Sequence, residues 1–458
     1  MCGIFGVSGH ADAAALAHLG LYSLQHRGQE AAGIVAVDAD GAAHAARALG
    51  LVSEGLADGE LKGVRGHVAI GHTRYATAGG RSLENAQPIL ARARGGHIAV
   101  AHNGNLVNHL EIRRELEESG AIFSSTQDTE VIVHRLARAR ASAPADRIKE
   151  ALAGLEGSYS LLILLDDTLY AVRDSRGWRP LAIGRLGDSW VAASETCALD
   201  IVGAQYIRDL EPGEIARLTP GALETVGTLG QAAAHRCVFE YVYFARPDSR
   251  VFGGSVDRAR RALGRQLAKE QPAPGADLVF AVPDSSNSAA LGFAEASGVP
   301  YELALIRNHY VGRTFIAPTQ GGRAAKVKVK FNPVRELLEG KKVVMVDDSI
   351  VRGTTTRGLV QLIRGAGALE VHMRVSSPPV TGPCWYGIDT PNREELIAAR
   401  LDTQEIAREI GVDSLGYLSL DGMLAAVPGG PDGFCHACFS GDYPTPPPAS
   451  DLVSLRRR

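Results

Sequence analysis

The segment KKVVMVDDSIVRGTTT, residues 341–356, constrains the fold of this chain more than any other. Its apolar residues place Asp347 and Asp348 at the carboxyl end of a strand, and a polar loop then leads into a helix. A second segment of the same kind, ADLVFAVPDSSNSAALGFAEASG, begins at residue 276. This alternation of strand, loop and helix predicts a parallel, doubly wound sheet in the second half of the chain.

Short apolar strands dominate the first half of the chain. HVAIGHTRYAT, from residue 67, and HIAVAHNGNL, from residue 97, are each predicted to be a strand that runs into a polar loop. SYSLLILLDDTLYAVRD predicts a hairpin with Asp166 and Asp167 at its turn. Asp128 stands where the N-cap of a helix is expected. The first half is therefore predicted to be rich in β-structure with a few helices.

Length and charge limit the possible classes of function. The 458 residues suffice for two or three domains, and we predict domains at 2–232 and 233–445 with a flexible tail at 446–458. The formal net charge of -3 gives no drive toward nucleic acid or an anionic membrane. No apolar run approaches the ~20 residues of a membrane helix, and the N-terminus lacks the features of a secretion signal. We expect a cytoplasmic protein that binds neither nucleic acid nor membranes.

The loop after Asp348 has the composition of a phosphate-binding site. SIVRGTTT supplies hydroxyls, a flexible glycine and successive backbone amides at a helix N-terminus, which suit a monoester phosphate. Asp347 and Asp348 would repel phosphate, but they suit ribose hydroxyls or a Mg²⁺ ion shared with a pyrophosphate. The alternative is a strand end whose acidic residues face solvent. A ligand with a 5-phosphate, a ribose and a pyrophosphate accounts for all of these groups together.

A basic segment precedes this strand. Residues 307–330 are dense in Arg, Lys and Gly and end in alternating Lys326, Lys328 and Lys330. The pattern predicts a cationic flap that closes over pyrophosphate and excludes water, and an exposed basic hairpin is the alternative. VPDSSN, residues 282–287, adds another ligand-facing loop at the end of a strand.

These segments resemble the 5-phosphoribosyl-1-pyrophosphate (PRPP) motif and its surroundings in the type I phosphoribosyltransferases. The resemblance implies a parallel-sheet domain of that family, with one Mg²⁺ per subunit held by Ser286, Asp347 and Asp348. The PRPP-binding residues that it implies are Asp347, Asp348, Ser349, Arg352, Gly353, Thr354, Thr355, Arg307 and Tyr310.

The chain begins MCGIFGV, which puts a cysteine directly after the initiator methionine. Because cysteine is small, methionine aminopeptidase can remove Met1 and leave Cys2 with a free α-amine. Such an amine has a pKa of ~7.7–8.0 and can accept the thiol proton at physiological pH. The alternative is that Cys2 is a small buried residue at the start of an edge strand.

Three later segments contain groups that a cysteine amidase needs. HTRYATAG puts Arg74 at a strand end, where a guanidinium can hold a carboxylate with two hydrogen bonds. HNGNL offers the Asn103 side-chain amide and the Gly104 N–H as oxyanion donors. SSTQDTE offers Asp128 as a partner for a substrate ammonium. Each residue alone has an ordinary structural explanation, but together they describe hydrolysis of the side-chain amide of glutamine.

CGIFGV, LQHRGQEAAGI, HTRYATAG, HNGNL and STQDTE resemble the class II glutamine amidotransferases, which are N-terminal-nucleophile hydrolases of four-layer αββα fold. The resemblance implies that Cys2 is the nucleophile and that Asn103 and Gly104 form the oxyanion hole. The glutamine-binding residues that it implies are Arg27, Arg74, Thr77 and Asp128.

Such a glutaminase joined to a phosphoribosyltransferase, with EYVYFARPDS at 240–249, resembles the amidophosphoribosyltransferase family. The resemblance implies that ammonia from glutamine passes through an internal channel to C1 of PRPP. The products would be 5-phosphoribosylamine, glutamate and pyrophosphate, in the first committed step of de novo purine synthesis. It also implies feedback inhibition by purine nucleotides and a homotetramer.

Without a secretion signal, the other cysteines point to metal binding or catalysis rather than to disulfides. Cys435 and Cys438 have CxxC spacing, and Cys237 and Cys384 could supply two more thiolates. A zinc tetrathiolate, a redox dithiol or an iron–sulfur cluster fits this count, and spacing alone slightly favours zinc. Resemblance to one branch of the family implies instead one structural 4Fe–4S cluster per subunit on these four residues. Cys197 is left as an unassigned, buried thiol.

Two other functions fit parts of the sequence. A class II amidotransferase that feeds ammonia to a sugar phosphate has no need of VVMVDDSIVRGTTT. A PRPP-sensing regulatory protein has no use for Cys2, Arg74, Asn103 and Asp128 together. Such a regulator usually carries a DNA-binding module, and no segment here is basic enough for one.

Overall fold

The structure is a computed structural model, and it describes residues 1–57, 61–75, 80–93, 96–230, 232–309, 329–388, 390 and 392–446. Among these residues, no helix is both long enough and apolar enough to cross a membrane.

Two antiparallel sheets form the first half of the chain. Their strands are β1 Gly3–Ser8, β2 Ala31–Val37, β3 Ala43–Leu49, β4 Val68–Arg74, β5 Ile89–Ala93, β6 Gly96–Leu106, β7 Gly157–Leu165, β8 Thr168–Arg173, β9 Ala182–Leu186, β10 Ser189–Ala193, β11 Gln205–Asp209, β12 Glu214–Thr219 and β13 Ala222–Thr228. The first sheet has the order β11-β9-β10-β1-β4-β2-β3, and the second has the order β13-β12-β8-β7-β6-β5. The predicted hairpin is confirmed, since β7 and β8 pair around a turn at Asp166 and Asp167.

Helices cover the outer face of each sheet. They are α1 Ala13–Ser23, α2 Val52–Gly55, α3 His109–Glu118, α4 Glu130–Arg138, α5 Pro144–Leu152 and α6 Cys197–Ile201, with 3₁₀ turns at Gln25–Arg27 and Leu83–Asn85.

Alternating residues of the strands build three apolar cores. In β1, Phe5 packs toward α1 while Ile4 packs between the sheets, and in β7, Leu162 packs between the sheets while Leu161 packs toward α4 and α5. This period of two is what a strand buried on both faces requires. The layers are helix, sheet, sheet and helix, which confirms the predicted αββα fold.

A four-stranded parallel sheet forms the centre of the second half. The strands here are β14 Arg236–Cys237, β15 Arg250–Val251, β16 Gly254–Ser255, β17 Leu278–Ala281, β18 Leu305–Arg307, β19 Phe331–Pro333, β20 Lys342–Asp347, β21 Glu370–Val375, β22 Ser414–Tyr417 and β23 Phe434–Cys435. The sheet has the order β17-β20-β21-β22, and β14–β23, β15–β16 and β18–β19 form separate pairs.

The helices of the second half lie on both faces of this sheet. They are α7 Val256–Glu270, α8 Asn287–Ser297, α9 Arg335–Leu338, α10 Thr354–Gly365, α11 Thr403–Ile410, α12 Leu420–Ala426 and α13 Ala437–Ser440, with a π-helix at Glu240–Phe244 and 3₁₀ turns at Arg393–Glu395 and Ile397–Ala399. In β20, Val344 and Val346 belong to the core of α7 and α8, whereas Val343 and Met345 belong to that of α10 and α11. The predicted doubly wound parallel sheet is therefore confirmed.

Candidate active sites

Cys2 lies immediately before β1, a strand near the middle of the seven-stranded sheet. It is 5% exposed, its thiol donates to the Tyr75 carbonyl at 3.5 Å, and its backbone N–H donates to Asn103 Oδ1 at 3.2 Å. Met1 is also buried, next to Arg179, and burial lowers the pKa of its amine to about 5. Because the nitrogen of Cys2 is an amide while Met1 is attached, removal of Met1 is what would turn it into a base beside the thiol.

Asn103 and Gly104 lie within β6 and not in a loop after it, so the predicted loop is wrong. The strand continues to Leu106 because residues 103–106 pair with residues 157–160 of β7. Asn103 Nδ2 is buried and has no hydrogen-bond partner among the described residues, while its Oδ1 accepts from Cys2. An amide donor left unpaired in a buried position beside a thiol suits an oxyanion hole.

Gly104 is required by close packing. A Cβ added there would lie 2.0 Å from the Ser158 carbonyl oxygen and 2.7 Å from His102 Nε2. A side chain at residue 104 would therefore collide with the backbone of β7, so this position of β6 requires glycine.

Arg74 ends β4 and is 4% exposed, and Asp128 is 5% exposed. Asp128 is not the N-cap that was predicted, because α4 begins at Glu130 and its N-cap is Thr129. The Asp128 carboxylate instead accepts the Leu106 N–H at 2.9 Å, which ties it to the end of β6. Burial alone would raise its pKa, but His102, His109, the Leu106 N–H and Arg74 together hold the pKa below its usual value. Thr77, also predicted to bind glutamine, lies outside the described residues.

Arg27 lies behind Cys2. Its Nε donates to the Cys2 carbonyl at 3.0 Å, Nη1 donates to Glu195, and Nη2 donates to Glu240 at 2.7 Å. All three side chains of this ion network are fully buried. Burial alone would lower the pKa of Arg27, but the two carboxylates raise it above its usual value. Sequence reasoning missed Glu195 and Glu240, because no local spacing connects them to residue 27.

The two aspartates of the PRPP-like motif are close together at the end of β20. Ser286 Oγ donates to Asp347 Oδ1 at 3.1 Å and to Asp348 Oδ2 at 3.4 Å, so the three predicted magnesium ligands meet. Ser285 and Ser349 also donate to Asp348, at 2.6 and 2.7 Å. Burial and the charge of Asp348 raise the pKa of Asp347, and burial raises that of Asp348. Two adjacent carboxylates of raised pKa, surrounded by hydroxyls, are a suitable site for a cation.

The predicted phosphate loop lies between β20 and α10. Gly353 precedes α10 with φ 76°, and Thr354 and Thr355 are exposed in its first turn. The Arg352 guanidinium donates to Glu395 at 2.8 Å at the surface. The loop thus leaves two threonines exposed at a helix N-terminus, where a phosphate group is favoured.

Arg307, the last residue of β18, forms an ion pair with Asp284 of the 282–287 loop. It pairs in register with Phe331 of β19, so the two ends of the predicted flap are adjacent strands. Tyr310, Lys326 and Lys328 lie outside the described residues.

One cavity between the two halves is lined by four cysteines, which are Cys237, Cys384, Cys435 and Cys438. Trp178, Arg179 and Tyr386 also line it. Cys237 and Cys435 are in register in the parallel pair of β14 and β23. Burial raises the pKa of Cys237 to about 11, and it also raises those of Cys435 and Cys438. Within the described part of the chain, no three His, Cys, Asp or Glu side chains are grouped closely enough to hold a metal ion.

Cys197 lies apart from this cavity, at the start of α6. It is 4% exposed, as predicted, and its sulfur is 3.8 Å from Glu195. Burial followed by the charge of Glu195 raises its pKa to about 12, so it is an unreactive thiol.

Known proteins resemble both parts of this arrangement. Residues 72–200 match the model of a glutamine amidotransferase domain family. An amidophosphoribosyltransferase of Bacillus subtilis (strain 168) is 50% identical over 97% of this chain and 94% of its own length. One from Archaeoglobus fulgidus is 48% identical over 98% of this chain and 99% of its own length.

Solved structures extend the likeness to the whole fold. The structure of an allosteric regulatory enzyme of purine biosynthesis has a TM-score of 0.93 at 49% identity, covering 98% of this chain and 97% of its own. The B. subtilis glutamine PRPP amidotransferase complexed with ADP and GMP has a TM-score of 0.92 at 48% identity, covering 98% of each chain. The chain therefore belongs to the amidophosphoribosyltransferase family.

Proposed function

We propose that this enzyme transfers ammonia from glutamine to C1 of PRPP, giving 5-phosphoribosylamine, glutamate and pyrophosphate. This is the first committed step of de novo purine synthesis. One observation carries the proposal. The same chain contains a buried site at Cys2 and Asn103 and a strand-end site at Asp347 and Asp348, on a fold that it shares with amidophosphoribosyltransferases.

Met1 would be removed once, before the enzyme can hydrolyse glutamine. The Cys2 thiol gives its proton to the new α-amine, and the thiolate attacks the side-chain carbonyl carbon of glutamine. Asn103 Nδ2 and the Gly104 N–H stabilise the oxyanion that forms. The ammonium then returns the proton to the leaving nitrogen, which departs as ammonia, and water hydrolyses the thioester to glutamate.

Glutamine would be held at its amino-acid end by opposite charges. Arg74 suits the carboxylate, and Asp128 suits the ammonium because its pKa is lowered and it stays ionised. We retain Thr77 as a predicted contact. For Arg27 we propose a changed role, since its guanidinium is committed to Glu195, Glu240 and the Cys2 carbonyl. It would hold the nucleophile in place and not contact glutamine.

PRPP would bind along the 348–355 loop, with its 5-phosphate at the start of α10. The residues that would hold one Mg²⁺ per subunit are Ser286, Asp347 and Asp348, and the raised pKa values of both carboxyls support a cation there. When bound, that ion would neutralise negative charge on the pyrophosphate. Arg307 and Tyr310 remain predicted PRPP contacts, and the 307–330 segment remains the predicted cover that keeps water from C1.

The four-cysteine cavity offers the number of thiolates that a 4Fe–4S cluster takes. These four residues line a single cavity, beside the guanidinium of Arg179. We therefore propose one structural 4Fe–4S cluster per subunit on Cys237, Cys384, Cys435 and Cys438, with thiolates that Arg179 helps to neutralise.

Three further properties are proposed with the function. Ammonia would pass from Cys2 to PRPP through the protein, because both sites lie in one chain whose halves are packed together. Purine nucleotides would inhibit the enzyme, since the B. subtilis relative is complexed with ADP and GMP. The homotetramer stays a prediction that sedimentation or light scattering will test.

The test compares glutamate release with and without PRPP in the wild type and in Cys2→Ser. PRPP should stimulate release by the wild type, and Cys2→Ser should form phosphoribosylamine only from added ammonia. Unchanged glutamate release in the variant would remove Cys2 from the mechanism. Absence of phosphoribosylamine with either nitrogen source in the wild type would refute the proposed function.

A further inference from the structure

A short segment of the second half, residues 385–387, lies directly against the strand that carries the oxyanion pair. Asn105 Nδ2 donates to the Trp385 carbonyl at 2.7 Å, and Ser158 Oγ donates to the Tyr386 carbonyl at 2.7 Å. Asn105 is 2% exposed and Ser158 is fully buried. These are contacts between residues more than 200 positions apart, and nothing in the glutamine chemistry described above uses either side chain.

The Ser158 hydroxyl connects the segment to the backbone of β6. It accepts the Asn105 N–H at 3.2 Å while it donates to the Tyr386 carbonyl. The Asn105 nitrogen belongs to the same peptide unit as the Gly104 carbonyl. One hydroxyl therefore joins the peptide after Gly104 to a loop of the other half.

Gly387 completes the contact. It has φ +103°, and a Cβ added there would lie 3.0 Å from the Gly104 carbonyl carbon and 3.1 Å from the Gly104 carbonyl oxygen. On its other side, Gly104 lies against the Ser158 carbonyl. Gly104 is thus enclosed between β7 and the 385–387 segment, and it needs such support because a glycine backbone is otherwise permissive.

We propose that the 385–387 segment fixes the backbone at Gly104 so that its N–H points at the oxyanion, with Ser158 and Asn105 as positioning residues for glutamine hydrolysis. The inference rests on the proposed function. Oxyanion donors act only when they are preorganised, and a misplacement of ~1 Å can cost ~100-fold in rate. The loop that completes the glutaminase site therefore comes from the phosphoribosyltransferase half.

The principal test is Ser158→Ala, which removes the donor to Tyr386 and the acceptor for the Asn105 N–H. We expect kcat for glutamine hydrolysis to fall by about 10-fold or more, since full loss of one oxyanion donor costs ~10²–10³-fold. KM for glutamine and phosphoribosylamine formation from added ammonia should stay within about 2-fold, because neither depends on the oxyanion geometry. The aldehyde analogue of glutamine, which forms a tetrahedral adduct with a thiol, should lose affinity by the same factor as kcat.

Ser189→Ala is the matched control. Ser189 is 3% exposed in the same half of the chain, and its hydroxyl donates to the Gly9 carbonyl at 2.8 Å, away from β6. This variant should leave kcat, KM and the aldehyde affinity unchanged. If Ser158→Ala does not fold, Asn105→Leu, which removes only the donor to Trp385, should give the same selective loss of kcat.

The outcomes separate the inference from the proposed function. In one case the wild type hydrolyses glutamine, and Ser158→Ala or Asn105→Leu loses the glutamine-dependent and the ammonia-dependent activity in parallel. In another case the wild type hydrolyses glutamine and the variant loses neither activity. In both cases the inference is overturned, and the proposed function stands. A wild type that releases no glutamate would overturn both.

Discussion

Replacing Glu240 by glutamine removes one charge from the ion network behind Cys2. Glu240 begins the π-helix of the second half, and its carboxylate accepts from Arg27 Nη1 at 3.0 Å and Nη2 at 2.7 Å. Arg27, Glu195 and Glu240 are all fully buried. Because the raised pKa of Arg27 keeps it charged, the substitution leaves a buried guanidinium with one carboxylate in place of two.

The cost follows from this geometry. Opposite charges about 4 Å apart interact by ~4 kcal/mol at an effective dielectric constant of ~20, and removing one member of a buried pair costs ~3–5 kcal/mol. Since Glu195 remains, we expect a loss of about 3 kcal/mol in the free energy of unfolding. For a folding unit of roughly 150–250 residues each kcal/mol lowers Tm by ~2–4 °C, so Tm should fall by about 6–12 °C.

Differential scanning calorimetry measures the loss of Tm in Glu240→Gln, with Glu224→Gln as the control variant. Glu224 pairs with Arg217 at the surface, where their side chains are 50% and 41% exposed. Such an exposed pair contributes ~0–1 kcal/mol, and the control should therefore lose no more than about 4 °C. Equal shifts in the two variants would refute the view that the buried network behind Cys2 stabilises the folded chain more than an exposed ion pair does.

Three other outcomes are expected. Asp347→Ala should abolish phosphoribosylamine formation from glutamine and from ammonia, and survival of the ammonia reaction would place PRPP elsewhere. Protein purified without oxygen should show broad visible absorbance and about four irons per chain, whereas colourless, zinc-bearing protein would contradict the cluster. Because Met1 is 1% exposed, folded protein that has retained it should resist methionine aminopeptidase, and a mass loss of one methionine from folded protein would disprove this.

The layers of the fold could be predicted because they depend on local periodicity. The apolar runs before Asp347 and along β7 each bury residues on both faces, and the structure places them in central strands. The two local errors share a cause. HNGNL contains two asparagines and a glycine, which favour a loop, and Asp128 precedes a helix as an N-cap would. The pairing of residues 103–106 with β7 overrides the loop preference of HNGNL. The Asp128 carboxylate accepts the Leu106 N–H and is therefore not available to cap the helix.

The contacts between the halves were beyond sequence reasoning for a different reason. Arg27 and Glu240 are 213 residues apart, and Ser158 and Tyr386 are 228 apart. Neither pair has a spacing that a helix or strand would impose, so nothing local marks them. A buried charge or hydroxyl must nonetheless be paired, because leaving it unpaired costs ~1–3 kcal/mol or more. Asn103 Nδ2, which has no partner within the described ranges, departs from that requirement beside Cys2, where an incoming substrate oxygen would satisfy it.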